Sequence, residues 1–88
     1  MKLIIAIVKD SDALSVSDAL VEEGYRVTRI ASTGGFLRRG NVTLLIGVEA
    51  ETVEDVYRII EENCGKPEAG QHKATLFVLP AEDFVRIG

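Results

Sequence analysis

The chain has 88 residues, 47% of them hydrophobic and 27% charged, with a formal net charge of −4. That length supports one modest core rather than two, and that composition excludes a disordered chain. No apolar run approaches the roughly 18 residues a bilayer crossing needs, and the single cysteine, Cys64, excludes an internal disulfide and fits a reducing cytoplasm.

Lys2 to Lys9 is rich in isoleucine and valine and reads as a strand. The opening "MKLIIAIVKD" runs straight into Lys9 and Asp10 with no small-residue cleavage site, so a buried strand explains it better than a signal peptide. In "SDALSVSDALVEEG", Ala13, Val16 and Leu20, with Leu14 and Val21 alongside, recur at helical spacing. Asp10 or Ser11 is expected to cap this helix and Gly24 to end it. Tyr25 to about Ala31 forms a second strand, and Asn41 to Glu49 a third, with "STGGFLRRG" between them. Thr52 with Asp55 resembles a capping box opening a helix that buries Val53, Val56, Tyr57 and Ile60 and stops at Gly65 and Pro67. A polar loop, Lys66 to Lys73, leads to a last strand from Ala74 to Leu79.

The order β-α-β-β-α-β is the split arrangement of a ferredoxin-like α+β fold, here a single domain over residues 1–88 with a four-stranded antiparallel sheet. Its two helices cover only one face of the sheet. Yet Leu3, Ile5 and Ile7 alternate with Ile4, Ala6 and Val8, and Thr75, Phe77 and Leu79 with Ala74, Leu76 and Val78. Both faces are apolar, and an uncovered apolar face predicts association through the sheet.

Charge is unevenly spread. Gly24 to Val48 holds four arginines (Arg26, Arg29, Arg38, Arg39) and no acid, leaving six basic residues against fourteen acidic ones in the remainder. An acidic body with one basic island argues against nucleic acid as a partner and suits a local site for a small anion, although arginines also decorate solvated hairpins. Catalytic and metal chemistry find little support. Cys64 and His72 lack an orienting third group and supply too few ligands for a closed metal site, while Glu22–Glu23 and Glu61–Glu62 read as solvated helix ends. No catalytic residue, metal or cofactor is expected.

The basic loop approaches a phosphate cradle without being one. Gly35 and Gly40 have the G-x-x-x-x-G spacing, but Asn41-Val42 follows where a P-loop needs Lys and Ser or Thr, and the next element is a strand. As a hairpin connection the loop has surplus length, which often carries function. Arg26 and Thr28 share a face of their strand and offer a guanidinium fork beside a hydroxyl, a phosphate or ribose contact. Phe36 either plugs the core or presents a ring on which a base stacks. Asn41 carries donor and acceptor groups that can read a purine edge. Gly47 marks either a bulge or a place of close approach. Together these residues describe a nucleotide site.

The stretch "GYRVTRIASTGGFLRRGNVTLLIGVE", with "MKLIIAIV", "NCG" and "ATLFVLPAEDF", resembles the PII-like cyclic di-AMP receptor family, a nitrogen-regulatory-PII-like group of signalling proteins. The resemblance covers nearly the whole chain, and "TGGFLRRGN" is its most specific part. It implies a trimer of ferredoxin-like subunits holding cyclic di-AMP between neighbours. It further implies contacts through the side chains of Arg26, Thr28 and Asn41, and largely through backbone or packing for Val27, Gly35, Phe36, Leu37 and Gly47. This chain departs from the family at Gly24, where an asparagine is common, and at "GKPEAGQHK", which replaces a longer excursion that helps close over the ligand. The expected function is a cytoplasmic, non-enzymatic sensor that binds cyclic di-AMP at the interfaces of a homotrimer and reports to a downstream protein, with no membrane partner. The alternative is a PII-like trimer that binds another adenine nucleotide or a small anion, because the connection at residues 65–73 is short.

Overall fold

In the computed structural model, residues 1–30, 40–66, 70, 72–82 and 87 are described. The elements run β1 (Lys2–Lys9), α1 (Asp10–Glu22), β2 (Arg26–Ile30), β3 (Asn41–Val48), α2 (Val53–Asn63) and β4 (Ala74–Pro80), with one 3-10 turn, Ala50–Thr52, leading into α2. The sheet order is β2-β3-β1-β4 and every pairing is antiparallel, the ferredoxin-like arrangement expected from the element order. β1 keeps its expected bounds. Tyr25 and Glu49 fall just outside their strands, Pro80 joins β4, and Ala31 lies outside the described residues.

Strand alternation decides what is buried. Ile4, Ala6 and Val8 of β1 stand beside Ile46, Leu44 and Val42 of β3, and all six are at most 5% exposed. Ala13, Val16 and Leu20 of α1 and Val56 and Ile60 of α2 cover them, closing the core on this side of the sheet alone. The helices are narrower in their contacts than their spacing predicted. Leu14 is 66% exposed and Val21 57%, because each lies one residue beyond the buried Ala13 and Leu20, about 100° around the helix. Tyr57 is likewise exposed, and Val53 is half-buried.

Neither expected side-chain cap bond forms, although Thr52 does occupy the N-cap of α2. Lys9 occupies the N-cap of α1 without a side-chain bond, and Asp10 is already helical. Its N–H is satisfied instead by the Gly40 carbonyl at 2.6 Å, so the end of the β2–β3 connection caps the helix through its backbone. At α2, the Thr52 hydroxyl donates to the Glu49 carbonyl at 2.8 Å, closing the 3-10 turn rather than capping the helix. The exits behave more nearly as expected. Gly24 adopts a φ of +92°, a left-handed conformation that ends α1 cheaply only for glycine or asparagine. Gly65 follows α2 without positive φ, and its N–H donates to Asp12 Oδ1 at 3.1 Å, tying the exit of α2 to the first turn of α1. Pro67 lies outside the described residues. Among the described residues, no helix is long and apolar enough to cross a membrane.

Candidate functional site

The face of the sheet turned away from the helices carries the polar residues singled out by the sequence. Pairing sets Arg26 opposite Gly47, Thr28 opposite Leu45, and Ile30 opposite Thr43. On the far side of β3, Gly47 meets Leu3 and Asn41 meets Lys9. Alternation then places Arg26, Thr28, Asn41 and Gly47 on one open face, together with Leu3, Ile5, Ile7 and Leu45. Phe77 and Leu79 of β4, 52% and 45% exposed, extend its apolar part.

Val27 is different. It pairs with Ile46, whose side chain is fully buried under the helices, and packs half-buried against that core. Its side chain cannot reach a ligand on the open face, so only its backbone is available there. Gly35, Phe36 and Leu37, with Arg38 and Arg39, lie outside the described residues.

Gly47 settles one alternative left by the sequence. Pairing passes through it without interruption on both sides, so it is not a bulge. Its φ is not in the left-handed region, and a Cβ built there would meet no heavy atom of the described residues within 4 Å. Among the described residues, nothing requires glycine at that position. What its missing side chain creates is a strip of bare, exposed strand opposite Arg26.

The electrostatics separate by layer. Among the described strand residues, the open face presents no carboxylate, and its cations are Arg26 and Lys9. The helices carry the acids: Asp10, Asp12, Asp18 and Glu22 on α1, and Glu54, Asp55, Glu61 and Glu62 on α2. Arg29, which the sequence grouped with the basic island, stands on the helix side of β2. Its Nη2 lies 3.3 Å from Asp10 Oδ1, with both side chains more than half exposed. It is therefore committed to an ion pair worth about 0–1 kcal/mol and is turned away from the site.

A cleft of about 430 Å³ lies between α2 and β4 on the opposite side of the sheet, lined by Tyr57, Ile60, Glu61, His72, Lys73, Ala74 and Leu76. It contains none of the expected ligand contacts. Nearby, burial and then the Asp12 charge push the Cys64 thiol above its usual range, with Lys73 opposing them. That direction favours the protonated thiol over the thiolate a nucleophile needs.

Lys9 is a cation of this face that the sequence reading did not single out. Its parity with Leu3, Ile5 and Ile7 was visible, but its place beside Asn41 depends on the register of β1 against β3.

The match to a solved structure covers 98% of this chain and 96% of the other, at 39% identity and a TM-score of 0.79; that structure is described as a functionally unknown protein from Pediococcus pentosaceus ATCC 25745. Residues 1–71, which contain β1 to α2 and the whole "TGGFLRRGN" segment, match the family described as Cyclic-di-AMP receptor. The chain belongs to the cyclic-di-AMP receptor family.

Proposed function

We propose that this protein is a non-enzymatic cytoplasmic sensor, a single domain that binds cyclic di-AMP on the open face of its sheet, between neighbouring copies of a homotrimer. The observation that carries the reading is the Arg26–Gly47 pair. It sets an arginine opposite bare strand on a face whose described strand residues carry no carboxylate, although packing among the described residues asks for no glycine there. Arg26 and Thr28 contact phosphate or ribose, Asn41 reads the adenine edge, Phe36 stacks on the base, and Val27, Gly35, Leu37 and Gly47 contribute backbone or packing.

Distance supports a site shared between copies. Asn41 and Gly47 are six residues apart along β3, about 20 Å at ~3.3 Å per residue. One base with its phosphate cannot bridge that span within a single chain. Two copies apposed through their open faces can bring the Arg26 end of one to the Asn41 end of the other. The same apposition would cover Phe77, Leu79 and Ile30, each more than 40% exposed in the single chain.

A second reading, a trimer that takes another adenine nucleotide or a small anion, is favoured by the brevity of "GKPEAGQHK", which leaves little chain to close over a dinucleotide. Calorimetry against cyclic di-AMP, cyclic di-GMP, ATP and AMP separates the two. The first reading requires cyclic di-AMP to bind most tightly, because the groups that read adenine leave guanine's different edge unpaired. Tighter binding of ATP or AMP would establish the second, and equal affinities for both cyclic dinucleotides would indicate an anion pocket without base recognition.

A further inference from the structure

We infer that Lys9 is a phosphate-binding residue of this site, acting beside Asn41 at the end of the sheet remote from Arg26; the inference rests on the nucleotide reading above. Lys9 and Asn41 are direct partners across β1 and β3, so their side chains leave the same face at the same rung. Lys9 is half-buried, and the strand residues around it on that face carry no acid. Its sequence neighbour Asp10, the nearest carboxylate along the chain, is in α1 and bonded to Arg29 at 3.3 Å. Among the described residues, Lys9 therefore has no ion-pair partner, and neither has Arg26. The bond from Asp10 N–H to the Gly40 carbonyl pins the end of the glycine-rich loop against the end of β1, holding the Lys9–Asn41 rung together.

The arrangement matches the chemistry of a cyclic dinucleotide, which carries a phosphodiester on each side of its ring. Arg26 of one copy supplies a planar fork for one phosphate, and Lys9 of the neighbouring copy a mobile point charge for the other. The amide of Asn41, acceptor as well as donor, is left to read the base attached at that side. A ligand with a single phosphate group needs only one of the two cations.

The test is calorimetry of cyclic di-AMP with Lys9→Gln, Lys9→Arg and Arg29→Gln, with circular dichroism melting to establish that each variant folds. Loss of a direct charged contact predicts that Lys9→Gln weakens binding roughly tenfold to a hundredfold. Lys9→Arg should remain within a few fold of wild type, and Arg29→Gln should be near wild type. Lys9→Gln should also lower the salt dependence of affinity. If wild type binds cyclic di-AMP and Arg26→Ala abolishes it while Lys9→Gln is unchanged, the nucleotide site stands and the role of Lys9 is overturned. If wild type binds no cyclic dinucleotide, the underlying reading fails and this inference falls with it. Should Lys9→Gln fail to fold, Lys9→Met, which keeps the aliphatic stem, carries the same comparison.

Discussion

Replacing Gly47 by valine gives the sharpest separation of folding from function. The position is a strand interior with non-positive φ, and a Cβ there meets nothing among the described residues within 4 Å. Glycine is entropically costly in a strand and valine is well suited to one, so the folded chain should gain about 0.5–1 kcal/mol. For a domain of this size each kcal/mol moves the melting temperature by about 4–8 °C, which makes the expected rise roughly 2–8 °C. Ligand binding should respond in the opposite sense. The isopropyl group stands on the open face directly beside Arg26 and occupies the bare strand proposed to receive the nucleotide. Steric overpacking of about 1–3 kcal/mol corresponds to roughly a five- to 150-fold loss of affinity. Thermal melting without ligand and calorimetry with cyclic di-AMP measure the two effects, and light scattering records whether the assembly is retained. Affinity within twofold of wild type would refute the idea that ligand lies over Gly47. A lowered melting temperature with the assembly intact would refute the expected gain in strand stability.

The cations should differ in what their removal costs. Arg26→Ala should cost roughly tenfold to a hundredfold in affinity at any ionic strength. Arg38→Ala and Arg39→Ala, acting through local potential, should cost about 0–1 kcal/mol and recover as salt rises, and titration of each variant at low and high salt would expose a reversed order. Light scattering at micromolar concentration should return a trimer, and a stable monomer would remove the shared site. Mixing Arg26→Ala with Asn41→Ala subunits should restore some high-affinity sites if the two residues serve one ligand from different copies. Restoration absent from a demonstrably mixed assembly would place them in the same copy.

Much of the fold was legible because alternation in β1 and β4 left few choices: a strand with two apolar faces belongs inside a sheet or against another surface. The helices were read less well. Leu14, Val21 and Tyr57 have the right residue type and nearly the right spacing, but a stripe read from sequence has no sharp border, and only packing shows where it ends. The caps failed for a related reason. Asp10 and Thr52 are good capping residues, yet a carbonyl from residue 40 and a 3-10 turn took over the work, and neither follows from the local sequence. At the site, parity within β2 correctly joined Arg26 to Thr28. Parity alone could not reveal that Val27 faces the core, that Arg29 is tied to Asp10, or that Lys9 stands beside Asn41, because those facts depend on which strands pair and in what register.

The division of charge between the two layers bears on how fast an anion can arrive. At about 10 mM salt the Debye length is ~30 Å, longer than the 21 Å shortest dimension of the molecule, so an approaching nucleotide feels the acidic helices through the sheet. Near 150 mM it falls to ~8 Å, and the helices drop out of range while Lys9 and Arg26 remain within it. For each chain, the association rate should therefore climb from low to physiological salt, the reverse of the usual behaviour of steered encounters. Escape of a ligand already in contact with the cations should quicken over the same interval. Affinity measured at equilibrium would then change less than either rate, concealing two opposed effects that stopped-flow measurements can separate.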